Sequence, residues 1–329
     1  MSTIGTSPSP PAHPAPAGDT GPPGEPKPEP HVRQRIPRPK PSRRQALVGY
    51  LLLAPITVVL VGLLAWPLID ALLMSLHARY IGFDASPFVG LDNYAELISD
   101  SAYWNALRNT VFFTVVSVAL KFALGMLTAV LLNRKFRGRS LARSVVLIPW
   151  ALPTVVSVMV WSWMYNDSYG VLNQVLGFLH LPTPHSWLGD QATAMWSVVM
   201  VDVWRGFPFF ALIVLAGLQS IPADHYEVAE VDGAGRWKQF RYVSWPGVAT
   251  VAMVATLLST IWTLNEFPLI WVLTQGGPGD ATTVLSVFTF KTAFLGNDLG
   301  YGVAISATLL PIVVLLILAL VRATNRRER

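Results

Sequence analysis

Five ionisable residues stand inside otherwise apolar runs of this 329-residue chain: Asp70, Lys121, Asp202, Arg205 and Glu266. On insertion scales a charge at the centre of a membrane helix costs about 2.5–3.5 kcal/mol, so each requires a physical reason. Asp70 lies near the end of its run and reaches the interface. Lys121 is mid-run and must snorkel or meet an acid. Asp202 and Arg205 are three apart, a spacing at which helical side chains pair. The alternative is that both face a water-filled cavity, where they would hold a polar ligand; Asp202 with Lys121 and Glu266 could instead relay protons. Hydrolytic chemistry has little to build on. His77, His180, His185 and His225 fall in loops or at run ends, and no HExxH, Ser–Lys or paired-Asp arrangement occurs. No GxxxxGK[ST] is present either, so no ATP hydrolysis by this chain and no catalytic residue is expected. The absence of cysteine removes thiolate chemistry, disulfides and cysteine-based metal sites.

The elements that must position these residues are membrane helices. The chain is 52% hydrophobic and 13% charged, against roughly 25% charged in a soluble domain. Six apolar runs, near 46–76, 106–132, 144–165, 192–219, 247–274 and 302–322, each meet the requirement of about 20 residues for a bilayer span. The expected fold class is therefore all-α, a polytopic protein with six transmembrane helices. Pro55, Pro67, Pro149, Pro153, Pro208 and Pro268 are candidate kinks. Residues 1–45 hold half of the 26 prolines and end in a basic cluster. Their composition predicts a disordered tail, and the run that follows is too long for a signal-peptide core. Lys and Arg alternate along the tail, the five connections and the C-terminus as 7, 1, 5, 0, 3, 1 and 4. The positive-inside rule then places both termini, including the basic segment 323–329, and the loop 221–246 in the cytoplasm. This sorting accounts for the net charge of +5 without a nucleic-acid partner.

The loop 221–246, IPADHYEVAEVDGAGRWKQFRYVSWP, is patterned beyond what a connector needs. Pro222 suits the first position of a helix, and Ala223–Val231 reads helical with Glu227 and Glu230 on one face. Asp232-Gly233 signals a turn. Arg236, Trp237, Lys238, Phe240 and Arg241 predict a second short, basic, amphipathic piece. A helix-turn-helix at a membrane surface is a docking surface for a partner.

Glu227-x-Ala229-x-x-Asp232-Gly233-Ala234, followed by Phe240, Val243 and Pro246, resembles the EAA loop of ABC-importer permeases. Val228 and Trp245 depart from the usual pattern. Phe88-Val89-Gly90-Leu91-Asp92-Asn93-Tyr94 and Leu273-Thr274-Gln275-Gly276-Gly277-Pro278 with Thr282 are similar to segments of the carbohydrate-uptake subfamily, which also contains glycerol-phosphate permeases. The resemblance covers about residues 46–322. It implies a type I importer permease fold and an inner-membrane subunit with no cofactor of its own. Its implied partners are a second permease subunit, ATP-hydrolysing subunits and an extracytoplasmic solute-binding protein. Glu227, Ala229, Asp232, Gly233 and Ala234 would then couple to the ATPase. Position by position the resemblance places substrate on Asp202, Gly206 and Phe209, and on Trp262, Thr263 and Glu266. Carboxylates suit sugar hydroxyls, aromatic faces suit pyranose C–H surfaces, and Gly206 would let ligand approach the backbone. Two carboxylates would also repel a phosphate, which favours a neutral or amino-bearing sugar over glycerol 3-phosphate, and the resemblance implies a di- or oligosaccharide. A short helix at Gly170–Leu179 is expected as a lid where a binding protein docks. A secondary transporter would not need the patterned loop, and a scaffold would not need the buried charges.

Overall fold

The computed structural model describes residues 43–182 and 185–327. The tail expected over residues 1–45 lies outside the described residues as far as 42, and Arg43 already opens a helix. The chain falls into two units, residues 1–57 and 58–329. The described part of the first belongs to α1 (Arg43–Leu60), whose Thr57 hydroxyl donates to the Leu53 carbonyl at 2.9 Å.

The second unit is built from helices, which with closed barrels are the structures that satisfy every backbone group in lipid. Among the described residues there is no strand, only isolated bridges between His77 and Phe88 and between Tyr80 and Asp298. After α2 (Trp66–Met74) and the short α3 (Asp92–Ser99), α4 (Ser101–Asn133) is the longest helix. Next come α5 (Arg139–Ala151), α6 (Thr154–Met164) and α7 (Val171–Phe178). The central α8 (Gln191–Gln219) leads to α9 (Ala223–Val231) and α10 (Arg236–Gln239). The chain closes with α11 (Trp245–Leu264), α12 (Pro268–Thr274), α13 (Leu285–Phe290), α14 (Leu299–Ala307) and α15 (Leu309–Arg327). Aspartates start two of the long helices. Asp100 and Asp190 each accept from the N–H two residues on, at 2.8 and 2.9 Å.

Among the described residues five helices are long and apolar enough to cross a bilayer, and six if the bent pair α5–α6 counts as one span. That pair turns by 94°. Leu152 takes an extended conformation because Pro153 excludes the helical one from the residue before it. The fifth run also differs from a single straight span. Its helix starts earlier, passes through a π turn at Phe240–Ser244, and stops at Leu264 before restarting at Pro268. A π turn precedes each Trp-Pro pair, at Val61–Ala65 before Pro67 and at Phe240–Ser244 before Pro246. The wider turn accommodates a ring that would clash with the carbonyl four residues back. The segment after α12 makes the tight turn its glycines and proline predict. Gly276 takes φ 89°, and the buried Thr282 closes the turn through its N–H and hydroxyl to Gly276 and Gly277.

α4 and α8 form the core pair, with α11 packed on both. Small residues permit the approach. A Cβ on Gly125 would collide with Phe210 and lie 2.9 Å from the Phe207 carbonyl, while one on Gly217 would lie 2.9 Å from Val251. Gly125→Ala should therefore destabilise the purified protein by about 1–3 kcal/mol, the cost of overpacking, measured by unfolding in detergent. Unchanged stability would mean that the α4–α8 contact is looser than described.

Candidate functional site

One face of the unbroken α8 presents Asp202, Arg205, Gly206 and Phe209 at helical spacing. Around them stand Lys121 of α4, Trp150 at the end of α5, Ser259, Trp262 and Thr263 of α11, and Glu266 in the gap before α12. Together these residues line a cavity of about 220 Å³. All six residues expected to hold substrate are brought together there. Lys121, Trp150, Arg205 and Ser259 join them without having been assigned to substrate, Arg205 as the cavity-facing alternative expected.

The charges pair between helices and not along α8. Lys121 Nζ lies 2.6 Å from Asp202 Oδ2, with both side chains buried. The same ammonium donates to Thr263 Oγ1 at 3.0 Å. Arg205 reaches the other way, donating through Nη2 to Glu266 Oε2 at 2.9 Å and through Nη1 to Thr154 Oγ1 at 2.7 Å. The intrahelical Asp202–Arg205 pair is thus not formed, because each group has a better-placed partner on a neighbouring helix. Glu266 Oε1 also accepts from the Leu269 N–H at 3.2 Å, capping the start of α12.

Gly206 has a different role from the one expected. A Cβ there would lie 2.6 Å from Cε and 2.8 Å from Cδ of Lys121. The missing side chain makes room for the lysine stem crossing α8, so that its ammonium reaches Asp202. The electrostatic expectation changes as well. Each carboxylate has a cation at contact distance, so the cavity carries no net charge, and the argument that two acids repel phosphate does not stand. What remains of the sugar chemistry is an aromatic wall. Phe209 stacks on Trp150 at 6.5 Å between centroids and meets the edge of Trp262 at 5.0 Å. Trp150 and Trp262 are about half exposed, leaving ring faces open. In the sequence nothing distinguished Trp150 from other tryptophans in apolar runs. It joins the site because α5 ends at the bend.

The loop 221–246 lies beyond the C-terminus of α8. Its helices α9 and α10 fall where the sequence placed them, with Gly233 at φ 73° between them. Ile221, Phe240 and Trp245 fix the loop to a core cluster containing Leu132, Val214, Leu218 and Val248. Tyr226 and Ser244 share a hydrogen bond of 3.0 Å across its base. Glu227, Asp232 and Gly233 are exposed, whereas Ala229 and Ala234 are half-buried and joined by a backbone bond of 2.9 Å. Val228, Val231, Trp237 and Tyr242 are also exposed, Val231 by 88%. Four large apolar side chains on a polar loop mark a contact surface. The expected lid is α7, tied down by Asn173, which donates to the Asp167 and His185 carbonyls.

Lys121→Met should cost about 3–5 kcal/mol by stranding a buried carboxylate. Lys121→Met combined with Asp202→Leu should lose less than the single variant, because no charge is left unpaired. Unfolding of the purified proteins measures both. Additive losses would mean that the pair is not formed.

Residues 121–329 match the family described as binding-protein-dependent transport system inner membrane component. The trehalose/maltose transport system permease protein MalF of Thermococcus litoralis is 42% identical over 263 residues, 80% of this chain and 88% of that protein. The inner membrane ABC transporter permease protein YcjO of Escherichia coli is 36% identical, over 84% of this chain and 92% of that one. Among solved structures, a bacterial ABC transporter importing the acidic polysaccharide alginate superposes with a TM-score of 0.75 at 21% identity, covering 87% of this chain and 98% of that one. A six-run helical chain with a patterned surface loop and an aromatic, charge-paired cavity agrees with these likenesses, and the chain belongs to the binding-protein-dependent transport system inner membrane components, as an ABC-importer permease of the carbohydrate type.

Proposed function

We propose that this chain forms half of the translocation path of an ATP-driven importer for a di- or oligosaccharide. A second permease subunit supplies the other half. Separate subunits hydrolyse ATP and dock on the loop around Glu227, Ala229, Asp232, Gly233 and Ala234, and an extracytoplasmic solute-binding protein delivers the sugar. Both termini and the coupling loop face the cytoplasm, with residues 1–45 and 323–329 as basic flanking segments.

The observation that carries this reading is the joining of cavity and loop by one unbroken helix. From Phe209 to Gln219, α8 runs ten residues without a break, about 15 Å at 1.5 Å per residue. Closure of the ATPases on α9 would therefore act on the sugar site through a rigid lever. Trp150, Phe209 and Trp262 offer faces for sugar C–H surfaces. The relative from Thermococcus litoralis is named for trehalose and maltose, which supports a disaccharide-sized ligand. A cavity of about 220 Å³ is below the roughly 300–1,000 Å³ of pockets that enclose larger ligands. A disaccharide therefore needs the half-site of the second permease.

Uptake of labelled maltose, trehalose and glycerol 3-phosphate into vesicles carrying the whole complex tests this. A sugar should be transported, and Glu227→Ala should lower its uptake by about tenfold or more with the complex still assembled, a loss of about 1.4 kcal/mol or more in coupling. Trp262→Ala should lower sugar uptake while leaving ATP hydrolysis in place. Normal transport by Glu227→Ala would overturn the coupling role, and uptake of glycerol 3-phosphate alone would overturn the sugar.

A further inference from the structure

A ladder of aromatic rings leaves the cavity at the break between α11 and α12. Phe267, next to the cavity residue Glu266, stacks on Trp271 at 5.7 Å between centroids and 17° between planes. Phe290 of α13 closes on both, 5.0 Å from Phe267 and 4.7 Å from Trp271. Phe294, in the π turn Lys291–Leu295, follows at 5.3 Å. The foot of the ladder is fixed by Ser286, whose Oγ donates to the Glu266 carbonyl at 2.7 Å, so α13 begins at the depth of the gap. Ser286, Phe290 and Phe294 are four apart, a rise of about 12 Å from first to last at 1.5 Å per residue. Phe267, Trp271 and Gln275 repeat that spacing along α12 and the turn after it. Both stripes lead from the cavity wall into the connection 275–301, which the proposed orientation puts outside.

The rings are not core. Phe267 and Trp271 rest on the core cluster that contains Ile270 and Val287, yet both are half-buried, as is Phe290, and Phe294 is 57% exposed. Hydrogen-bonding groups stand at both ends. The Ser286 hydroxyl keeps acceptor capacity at the foot, and the exposed Gln275 stands at the top. A lipid chain has no use for a polar group at either end, whereas a saccharide presents flat C–H faces together with hydroxyls. The cavity of about 220 Å³ is also too small for a long ligand, so a longer sugar must extend along a surface continuous with it. We propose that the ladder is an outer subsite of the sugar path, which takes the unit of an oligosaccharide that projects beyond the cavity. This subsite presupposes the sugar-importer reading above and adds to it that chains longer than two units are accepted, with Phe290 and Phe294 setting how well.

The test uses the assembled complex in liposomes with saturating binding protein, and follows initial uptake of labelled maltose, trehalose and maltotriose. Wild type should carry a disaccharide and the trisaccharide. Phe290→Ala should lower maltotriose uptake by about fivefold, the effect of one lost aromatic contact, and disaccharide uptake by less than about twofold. Phe290→Tyr, which keeps the ring, should restore the trisaccharide. Leu295→Ala, which removes an exposed apolar side chain beside the ladder, should match wild type. Should Phe290→Ala fail to assemble, Phe294→Ala at the exposed end should show the same selective loss. Equal losses for both sugar lengths, or no loss in the ladder variant that assembles, would overturn the subsite. Loss of the second permease subunit from Phe294→Ala would also overturn it, and would assign the ladder to the interface between permeases. Wild type that carries maltose or trehalose but not maltotriose would overturn the subsite alone. Wild type that carries none of these sugars would overturn the sugar reading, and the subsite with it.

Discussion

Lys121 and Asp202 meet at 2.6 Å deep in the helix packing, and much of the site follows from that contact. A charge can be carried into this interior only with a counter-charge, and the pair fixes how α4 and α8 lie against each other. The lysine stem must cross α8, which requires a residue without a side chain at 206. Its ammonium then also reaches Thr263 and brings α11 into the same arrangement. Pairs of this kind contribute little net stability, because desolvation offsets most of the attraction. Their effect is to exclude other registers, since any slip would strand two charges.

The second pair acts on the breaks. Thr154 is the first residue of α6 after the 94° bend, and Glu266 stands in the gap between α11 and α12. The Arg205 guanidinium bonds both, so the continuous helix holds the two discontinuous spans at one depth. Interruptions of this kind leave backbone polar groups that lipid could not satisfy, so they must face protein or an aqueous cavity. Glu266 meets part of that demand by accepting from Leu269. The cavity is where the breaks converge, and α8 carries its wall to the loop without interruption.

The cations of the chain thus serve in three settings. Inside, Lys121 and Arg205 are neutralised and set geometry. Near the loop, Arg143 lies among Leu132, Val146, Leu147, Leu212 and Leu215 with no carboxylate partner among the described residues. On the loop, Arg236, Lys238 and Arg241 are exposed beside the apolar side chains of the contact surface. The structural relative that imports alginate shares the fold at 21% identity. The residues that decide a ligand's charge are a matter of the individual cavity and not of the fold.

Local pattern settled a large part of this protein. Most of the apolar runs, the helix-turn-helix of 221–246 and the short α7 are short-range features close to their expected places. The fifth run, by contrast, is split between Leu264 and Pro268, and the kinks expected at Pro55 and Pro208 fall inside helices that continue through them. The family resemblance, anchored on Glu227 and Gly276-Gly277-Pro278, also picked six residues that line one cavity. What sequence could not assign was pairing. Asp202 and Arg205 have the spacing of an intrahelical pair, yet each bonds to a residue more than 60 positions away or on another helix. Contact between Lys121 and Asp202 depends on how α4 packs on α8, and no periodicity within either helix encodes that. The same holds for Trp150, which reaches the site only through the bend at Leu152–Pro153. It holds for Gly206 too, whose space is taken by Lys121. Element type follows from neighbours in the chain, whereas charge balance and cavity lining follow from neighbours in space, and only the tertiary structure brings those together.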